Sequence, residues 1–422
     1  MITAALVSLL ALLPARPLTL TEATELAVGG SPLMDRARVA EERARLLVLR
    51  ANLERIHASI DVSLTGLYAK DLLTLDTGGV LGLANLEGGV SAPLFSGFRV
   101  EADIARAEHL QQAALLDVEV ERRQVALAVA RTYWGVRRLA LLEQARATSD
   151  ERLAESERLV QARVAAGLAA GLDVNRAAGR RAQLDVERAT LASEVREARV
   201  QLQMTLGLDD EVELVDAPPA ADLALDGVEA LVQRAVDLRP ELQAARRRRQ
   251  ALDEERRAAE SAYWPQAGSN VLVQAGNNPS VPGVGNRAVG SFGLGLIAGV
   301  DVSMNLFDTW STTHAVEDVA HRRREADADA RQQLLEVERA VRVAHARVAS
   351  LQEQRAALVR ARAIVEDNTG MLERAYQRGE VLLTELLDVQ VELADAERRI
   401  VDVDSQMALA RIELERAAGG KP

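Results

Sequence analysis

From Ser291 to Leu306 every even position is apolar: Phe292, Leu294, Leu296, Ala298, Val300, Val302, Met304 and Leu306. The odd positions are Ser, Gly, Gly, Ile297, Gly, Asp301, Ser303 and Asn305. A period of two with one exception, Ile297, predicts a β-strand with one apolar face and one small or polar face. Weaker alternation occurs at Ile60, Val62 and Leu64 against Asp61, Ser63 and Thr65, at Leu86, Val90, Ala92 and Leu94, and at Val271 and Val273. Each half of the chain is therefore expected to hold two strands, joined by turn-forming loops at 76–82 and 276–290. Two isolated hairpins bury no apolar face by themselves. Strands of about ten residues, apolar on one side and small or polar on the other, suit a membrane-spanning barrel with lipid outside and water inside.

The remainder follows a period near 3.6. Apolar residues recur at three- and four-residue steps, as in Leu153, Val160 and Val164, or Leu351, Leu358 and Val359. All 11 prolines avoid 94–217 and 283–421. A proline costs about 3 kcal/mol inside a helix, so these stretches are predicted to be helical. Between Arg99 and Ala165 the one glycine is Gly135. A helix over that span would run roughly 100 Å at about 1.5 Å per residue, against a globular average of about 11 residues, which argues against a single compact soluble domain.

The pattern occurs twice. Val90-Ser91 and Leu94-Phe95 reappear 212 residues later as Val302-Ser303 and Leu306-Phe307, and Gly167 with Asp173 reappears at the same offset as Gly379 with Glu385. Two separate matches at one offset predict a duplicated unit of about half the chain. Each unit reads helix, strand, strand, very long helix, tight turn, helix. Pro32 and Pro240 open the first helices at an offset of 208, so a few residues entered between these prolines and the strand-to-helix junctions. The expected organisation is a signal peptide at 1–17, a first repeat at 18–217, an acidic linker at 209–226 containing Pro218-Pro219, and a second repeat at 218–422. Four strands are too few to close a barrel, the smallest having about eight, so closure is expected to need several chains.

Composition narrows the setting. Cysteine is absent, which excludes a disulfide framework and an N-terminal cysteine lipid anchor. The start has an apolar core, Ala4 to Leu13, and a small-residue exit near Pro14-Ala15, as in a signal peptide, although no Lys or Arg precedes the core. No run of about 18 apolar residues predicts a transmembrane helix. A net charge of -12 fits an acidic, water-filled lumen.

With these residues in view, the chain resembles the TolC-like outer-membrane channel family of bacterial efflux and type I secretion, from about Leu18 to Ala418. The resemblance rests on Ala92-Pro93-Leu94-Phe95-Ser96-Gly97 at the first strand-to-helix junction and Ala130-Arg131-Thr132-Tyr133-Trp134 in the long helix. It rests also on Arg239-Pro240-Glu241-Leu242, and on Tyr376-Gln377-Arg378-Gly379 with Leu386-Leu387-Asp388. The second junction departs from the pattern, with Phe307-Asp308-Thr309-Trp310 where a glycine is common. The resemblance implies a mostly α fold with a small β part: long antiparallel helical hairpins forming a periplasmic α-barrel, and four transmembrane strands per chain. A homotrimer would complete a twelve-stranded barrel in outer-membrane lipid. The implied partners are a periplasmic adaptor protein and an inner-membrane pump, with no cofactor and no nucleic acid.

The narrowest point is expected where the hairpins turn, near Gly167 and Gly379, with Asp173 or Thr384 starting the following helix. By resemblance, Asp173 and Tyr376 bond across neighbouring helices in the closed state, Asp388 rings the lumen, and Glu385 lies one turn before it. Gly167, Leu168, Arg378 and Gly379 are the expected adaptor-contacting tips. The basic residue that relatives place two positions after the tip glycine is Val381 here. A plainer reading of Asp173 and Glu385 is that they are first-turn carboxylates favoured by the helix dipole.

Competing sites carry less. Gly293-Leu-Gly295-Leu-Ile-Ala298 mimics a dinucleotide fingerprint but lies within strand alternation. His314, Glu317 or Asp318, and His321 share a helical face, a pattern that charged faces of long helices produce by accident. Arg246 to Arg249 is followed by Asp253, Glu254 and Glu255, as in a solvated helix face. Tyr133-Trp134 is expected in a core, and Tyr263-Trp264, before Pro265, in a membrane-interface belt. Two functions remain: a passive trimeric exit duct, or a coiled-coil scaffold capped by a small soluble sheet. An enzyme is disfavoured because no nucleophile and base are clustered.

Overall fold

The computed structural model describes residues 16–69, 79–168, 170–208, 212–215, 225–276 and 293–420. Its helices are α1 (Leu20–Gly30), α2 (Pro32–Leu53), α3 (Arg99–Ala165), α4 (Gly171–Leu206), α5 (Val228–Leu238), α6 (Pro240–Glu260), α7 (Ser311–Arg378) and α8 (Leu383–Ala417). Its strands are β1 (Arg16–Leu18), β2 (His57–Ala69), β3 (Gly79–Phe95), β4 (Val212–Leu214), β5 (Gln266–Gly276) and β6 (Gly293–Ser303). The proline-free stretches are the long helices: α3 has 67 residues and α7 has 68. Pro32 and Pro240 are first helical residues, where the missing N–H costs nothing. Two short pieces lay outside the sequence reading. These are the three-residue strands β1 and β4, the latter inside the expected linker. Gly79–Gly82, read as loop, is paired strand opposite Gly66–Ala69. Gly276, also read as loop, ends β5 opposite Gly293, and residues 76–78 and 277–290 of the expected loops, 1–15 of the expected signal peptide, and much of the linker lie outside the described residues.

The two strand-to-helix junctions share one backbone turn. Gly97 (φ 61°) and Phe98 (φ 67°) are both left-handed, as are Thr309 (φ 55°) and Trp310 (φ 66°), 212 residues on. The residue before each pair caps the helix: Ser96 Oγ accepts from the Val100 N–H at 3.3 Å, and Asp308 Oδ2 from the Thr312 N–H at 2.7 Å. The Thr312 hydroxyl also donates to Asp308 Oδ2. These bonds hold the Asp308 carboxyl below its ordinary pKa. The second junction thus makes the same turn without glycine.

The chain divides into two compact units, 1–37 with 118–240 and 333–422, and 38–117 with 241–332. The second holds an antiparallel sheet in the order β2-β3-β5-β6. Its register sums the separate alternations into one surface: Ala58 and Ile60 pair with Val90 and Gly88, Val90 with Val271, Val271 with Ala298, and Val273 with Leu296. Leu294, Leu296, Val300 and Val302 on this face are 66–74% exposed, and Ile60 is 81% exposed. Pro93 sits at a bulge of β3 beyond the last pair with β2, so its missing N–H breaks no ladder on that side. Beside the sheet, Val100, Ile104 and Ala107 of α3 pack on Ala51 and Val48 of α2. The basic run of α6 is tied down locally, Arg248 to Asp117 and Arg249 Nε to Asp327 at 2.9 Å, as a solvated helix face requires.

The first unit has a core of Leu18, Ala23, Ala27, Met34, Val129, Tyr133, Leu202, Leu206 and Leu214. β1 pairs parallel with β4, and the buried Tyr133 hydroxyl donates to the Leu18 carbonyl at 3.0 Å. Carboxylates on α8 receive arginines from both long helices. Glu397 takes Arg152 of α3 at 2.8 and 2.9 Å and Arg362 of α7 at 3.6 Å. Glu413 takes Arg131 at 2.9 Å and Arg347 at 3.4 Å.

Candidate functional site

The turns that join the helices within the first unit are two copies of one Schellman turn. After α3, the Gly167 N–H donates to Val164 O at 3.0 Å and the Leu168 N–H to Arg163 O at 2.8 Å. After α7, the Gly379 N–H donates to Tyr376 O and the Glu380 N–H to Ala375 O, both at 3.0 Å. The glycines take φ 71° and 83°, a region open to glycine at little cost. The following helices start without side-chain caps, at Ala170 and Leu382, contrary to the expectation for Asp173 and Thr384. The turns are one or more residues tighter than the pattern implied, so Asp173 and Thr384 already lie inside the first helical turn. Asp173 acts there as a first-turn acid and accepts from Arg176 Nη1 at 3.1 Å.

One guanidinium joins the two tips. Arg163, two residues before the end of α3, donates through Nη1 to the Tyr376 carbonyl and to the Gln377 carbonyl at 2.8 Å, and through Nη2 to the Leu168 carbonyl at 3.3 Å. Its charge lies 4.9 Å from the Tyr376 ring centroid. Tyr376 and Gln377 end α7, where carbonyls lack helical partners and the dipole favours a cation. Gly379 permits the approach, since a β-carbon there would stand 3.1 Å from Arg163 Nη2. Beneath the clasp, Tyr376 packs with Leu153, Val160, Leu184, Leu383, Leu386 and Leu387. Burial pushes the Tyr376 phenol above its ordinary pKa, and the Asp173 carboxylate adds to the shift while Arg163 opposes it. The buried phenol oxygen has no hydrogen-bond partner among the described residues. Asp173 and Tyr376 are thus brought close without bonding within one chain.

Glu385, Asp388 and Glu392 fall on one exposed stripe of α8, opposite the buried Leu383, Leu386, Leu387 and Leu393. Spacings of three and four residues place them one above another, a column of carboxylates facing water. Arg378 is spent locally, on Glu380 at 2.7 and 2.8 Å, and Leu168 is 68% exposed at the tip of the first hairpin. The sequence reading missed Arg163. A basic residue in the last turn of a helix is its one signal, and many arginines in this chain share it. Among the described residues no group of three or more His, Cys, Asp or Glu is placed to hold a metal, and His314 and Glu317 are an exposed pair 3.5 Å apart. No described helix is long and apolar enough to cross a membrane.

Residues 231–420 match the sequence model of a family described as outer membrane efflux protein. No curated protein sequence matches the chain. Among solved structures, CusC, whose work describes transmembrane channel formation, superposes with a TM-score of 0.78 at 17% identity, over 95% of this chain and 92% of that one. The outer-membrane channel OprN gives 0.77 at 20% identity, over 96% and 91%. The outer membrane protein VceC of Vibrio cholerae gives 0.77 at 17% identity, over 95% and 96%.

Proposed function

We propose, from the premise that residues 231–420 belong to the outer membrane efflux protein family and that the whole chain has the fold of TolC-like channels, that this protein is a trimeric outer-membrane exit duct. The observation that carries the reading is the sheet of the second unit. It has a continuous exposed apolar face and two free edges, β2 and β6. Water-exposed apolar surface of this extent marks contact with lipid or protein, and an open edge in lipid leaves unpaired backbone groups, each costing several kcal/mol by order of magnitude. Because every neighbouring pair is antiparallel, β6 of one copy meets β2 of the next in antiparallel sense. Three copies close a ring of twelve strands with lipid outside and the polar face inside. Strands of 13 and 11 residues at the two edges suffice to cross a bilayer at a tilt. On α2, Val39, Leu46, Leu49 and Leu53 form an exposed apolar stripe suited to a helix of a neighbouring copy.

The clasped tips form the periplasmic entrance, with Asp388 and Glu385 of three copies ringing it with negative charge. A periplasmic adaptor docks around Gly167, Leu168, Arg378 and Gly379, and an inner-membrane pump supplies the energy. The duct itself performs no chemical step. Asp173, paired here with Arg176, and Tyr376, whose phenol is buried beneath the clasp, would bond a neighbouring copy only after the tip rearranges. The test is to express the chain in a Gram-negative host and wash the outer-membrane fraction with alkaline carbonate. Retention, with a detergent-extracted species of three chain masses, is the expected result. Release into the wash would favour the coiled-coil scaffold instead.

A further inference from the structure

Ile297, the single break in the alternation of β6, faces the polar side of the sheet, and the register gives it company. It pairs with Leu272 of β5, which breaks the same face, and Leu272 pairs in turn with Gly89 of β3. Gly89 is a seat: a β-carbon there would lie 2.3 Å from Leu272 Cδ2, so the leucine side chain lies across the glycine. The level Ser59–Gly89–Leu272–Ile297 therefore carries two half-buried apolar side chains, while the adjoining levels of the same face carry Ser91 and Asn270 on one side and Asp61, Glu87, Gln274 and Gly295 on the other. One level along the same face, Asp61 stands opposite Glu87, and Glu87 opposite Gln274. Carboxylates directly opposite on neighbouring strands are unfavourable by themselves and gain from a cation between or beside them.

We propose that the polar face of the sheet holds a binding collar for amphipathic cations, the apolar body lying on Leu272 and Ile297 and the positive group at Asp61 and Glu87. This rests on the exit-duct reading, in which three copies present the collar to the lumen. Twelve strands enclose more space than the eight whose side chains fill a barrel, so Leu272 and Ile297 of three copies line this level without plugging it. Diagonal neighbours on a sheet are about 7–8 Å apart, the separation of an alkyl chain from its own cationic head. At this level a small hydrophilic cation meets screened charge, and a neutral apolar solute meets the Leu272–Ile297 patch. An amphipathic cation meets both, so it dwells longest.

The full chain in planar bilayers tests this by current block with octyltrimethylammonium and tetramethylammonium, added on the extracellular side below the micelle-forming concentration. The alkylated cation is expected to half-block at a concentration at least tenfold lower than the small one. Leu272→Thr/Ile297→Thr, which keeps strand-forming residues, is expected to abolish that tenfold difference while leaving unitary conductance unchanged. Asp61→Asn/Glu87→Gln is expected to weaken block by both ions. If the first pair does not assemble, Ile297→Thr alone, on the edge strand, is read for a loss of about threefold. Unitary channels whose block by the two ions is equal, or unmoved by these substitutions, overturn the collar and leave the duct intact. Absence of unitary channels in the unaltered chain overturns the duct.

Discussion

Two residues at equivalent positions do the same geometric work at different cost. Gly97 must be glycine twice over, since it is left-handed and a β-carbon would stand 2.6 Å from the Ser261 carbonyl oxygen. Thr309 holds the same left-handed turn with a β-branched side chain, a strained choice worth about 1–2 kcal/mol. Thr309→Gly is therefore expected to stabilise the start of α7 by about 1 kcal/mol, read as roughly fivefold slower hydrogen exchange of the first capped amides of α7. Gly97→Ala is expected to destabilise by more than about 2 kcal/mol, read as a lowered melting temperature. Arg163 makes a third residue-scale case. Arg163→Met keeps the stem and removes three charged hydrogen bonds, each worth about 1.5–3 kcal/mol. Exchange at Gly379 and Glu380 should rise more than tenfold, and single-channel conductance should increase. Unaltered exchange there would show that the packing around Tyr376, without the clasp, holds the tips together.

At the scale of elements, α8 is held by charge as much as by its leucines. Glu397 is mostly buried and receives Arg152 through both oxygens, with Arg362 beside them. Glu397→Gln leaves two arginines short of a partner. It is expected to cost about 2 kcal/mol, and the melting temperature should become less dependent on salt than that of the parent. The N-terminus of α7 depends on pH through Asp308. Its folded pKa lies below the unfolded value of about 3.9. Its contribution is thus complete above that value and is lost as pH falls through the lower, folded one. Protection of the Thr312 amide, corrected for intrinsic exchange, should drop as pH falls below about 4, and Asp308→Asn should remove this drop. The lengths of α3 and α7 were legible in the sequence because proline is missing there and each holds a single glycine, Gly135 and Gly370. The strands β1 and β4 were not, because three residues carry no period.

For the whole molecule, the free edges β2 and β6 set the expected assembly. A proline near the centre of β6, Val300→Pro, removes a backbone donor from an edge strand that no other described strand pairs with on its outer side. Within one chain an edge tolerates this. In a closed ring the same change interrupts the seam between copies. The trimer is expected to fall to single chains in detergent while α-helix content stays unchanged by circular dichroism. A trimer that survives would place the seam elsewhere.

The long helices, the alternating strands and the turn glycines were readable from order and period alone, because each arises between residues a few positions apart. The sheet face, the Leu272–Ile297 pair over Gly89, and the clasp of Arg163 on Tyr376, Gln377 and Leu168 were not. Each depends on register or on contacts between segments some 200 residues apart in the chain, where many arginines and many leucines compete for the same local description. Which one of them meets a helix end, or crosses a glycine, is decided only once the strands have chosen their partners and the hairpins have packed.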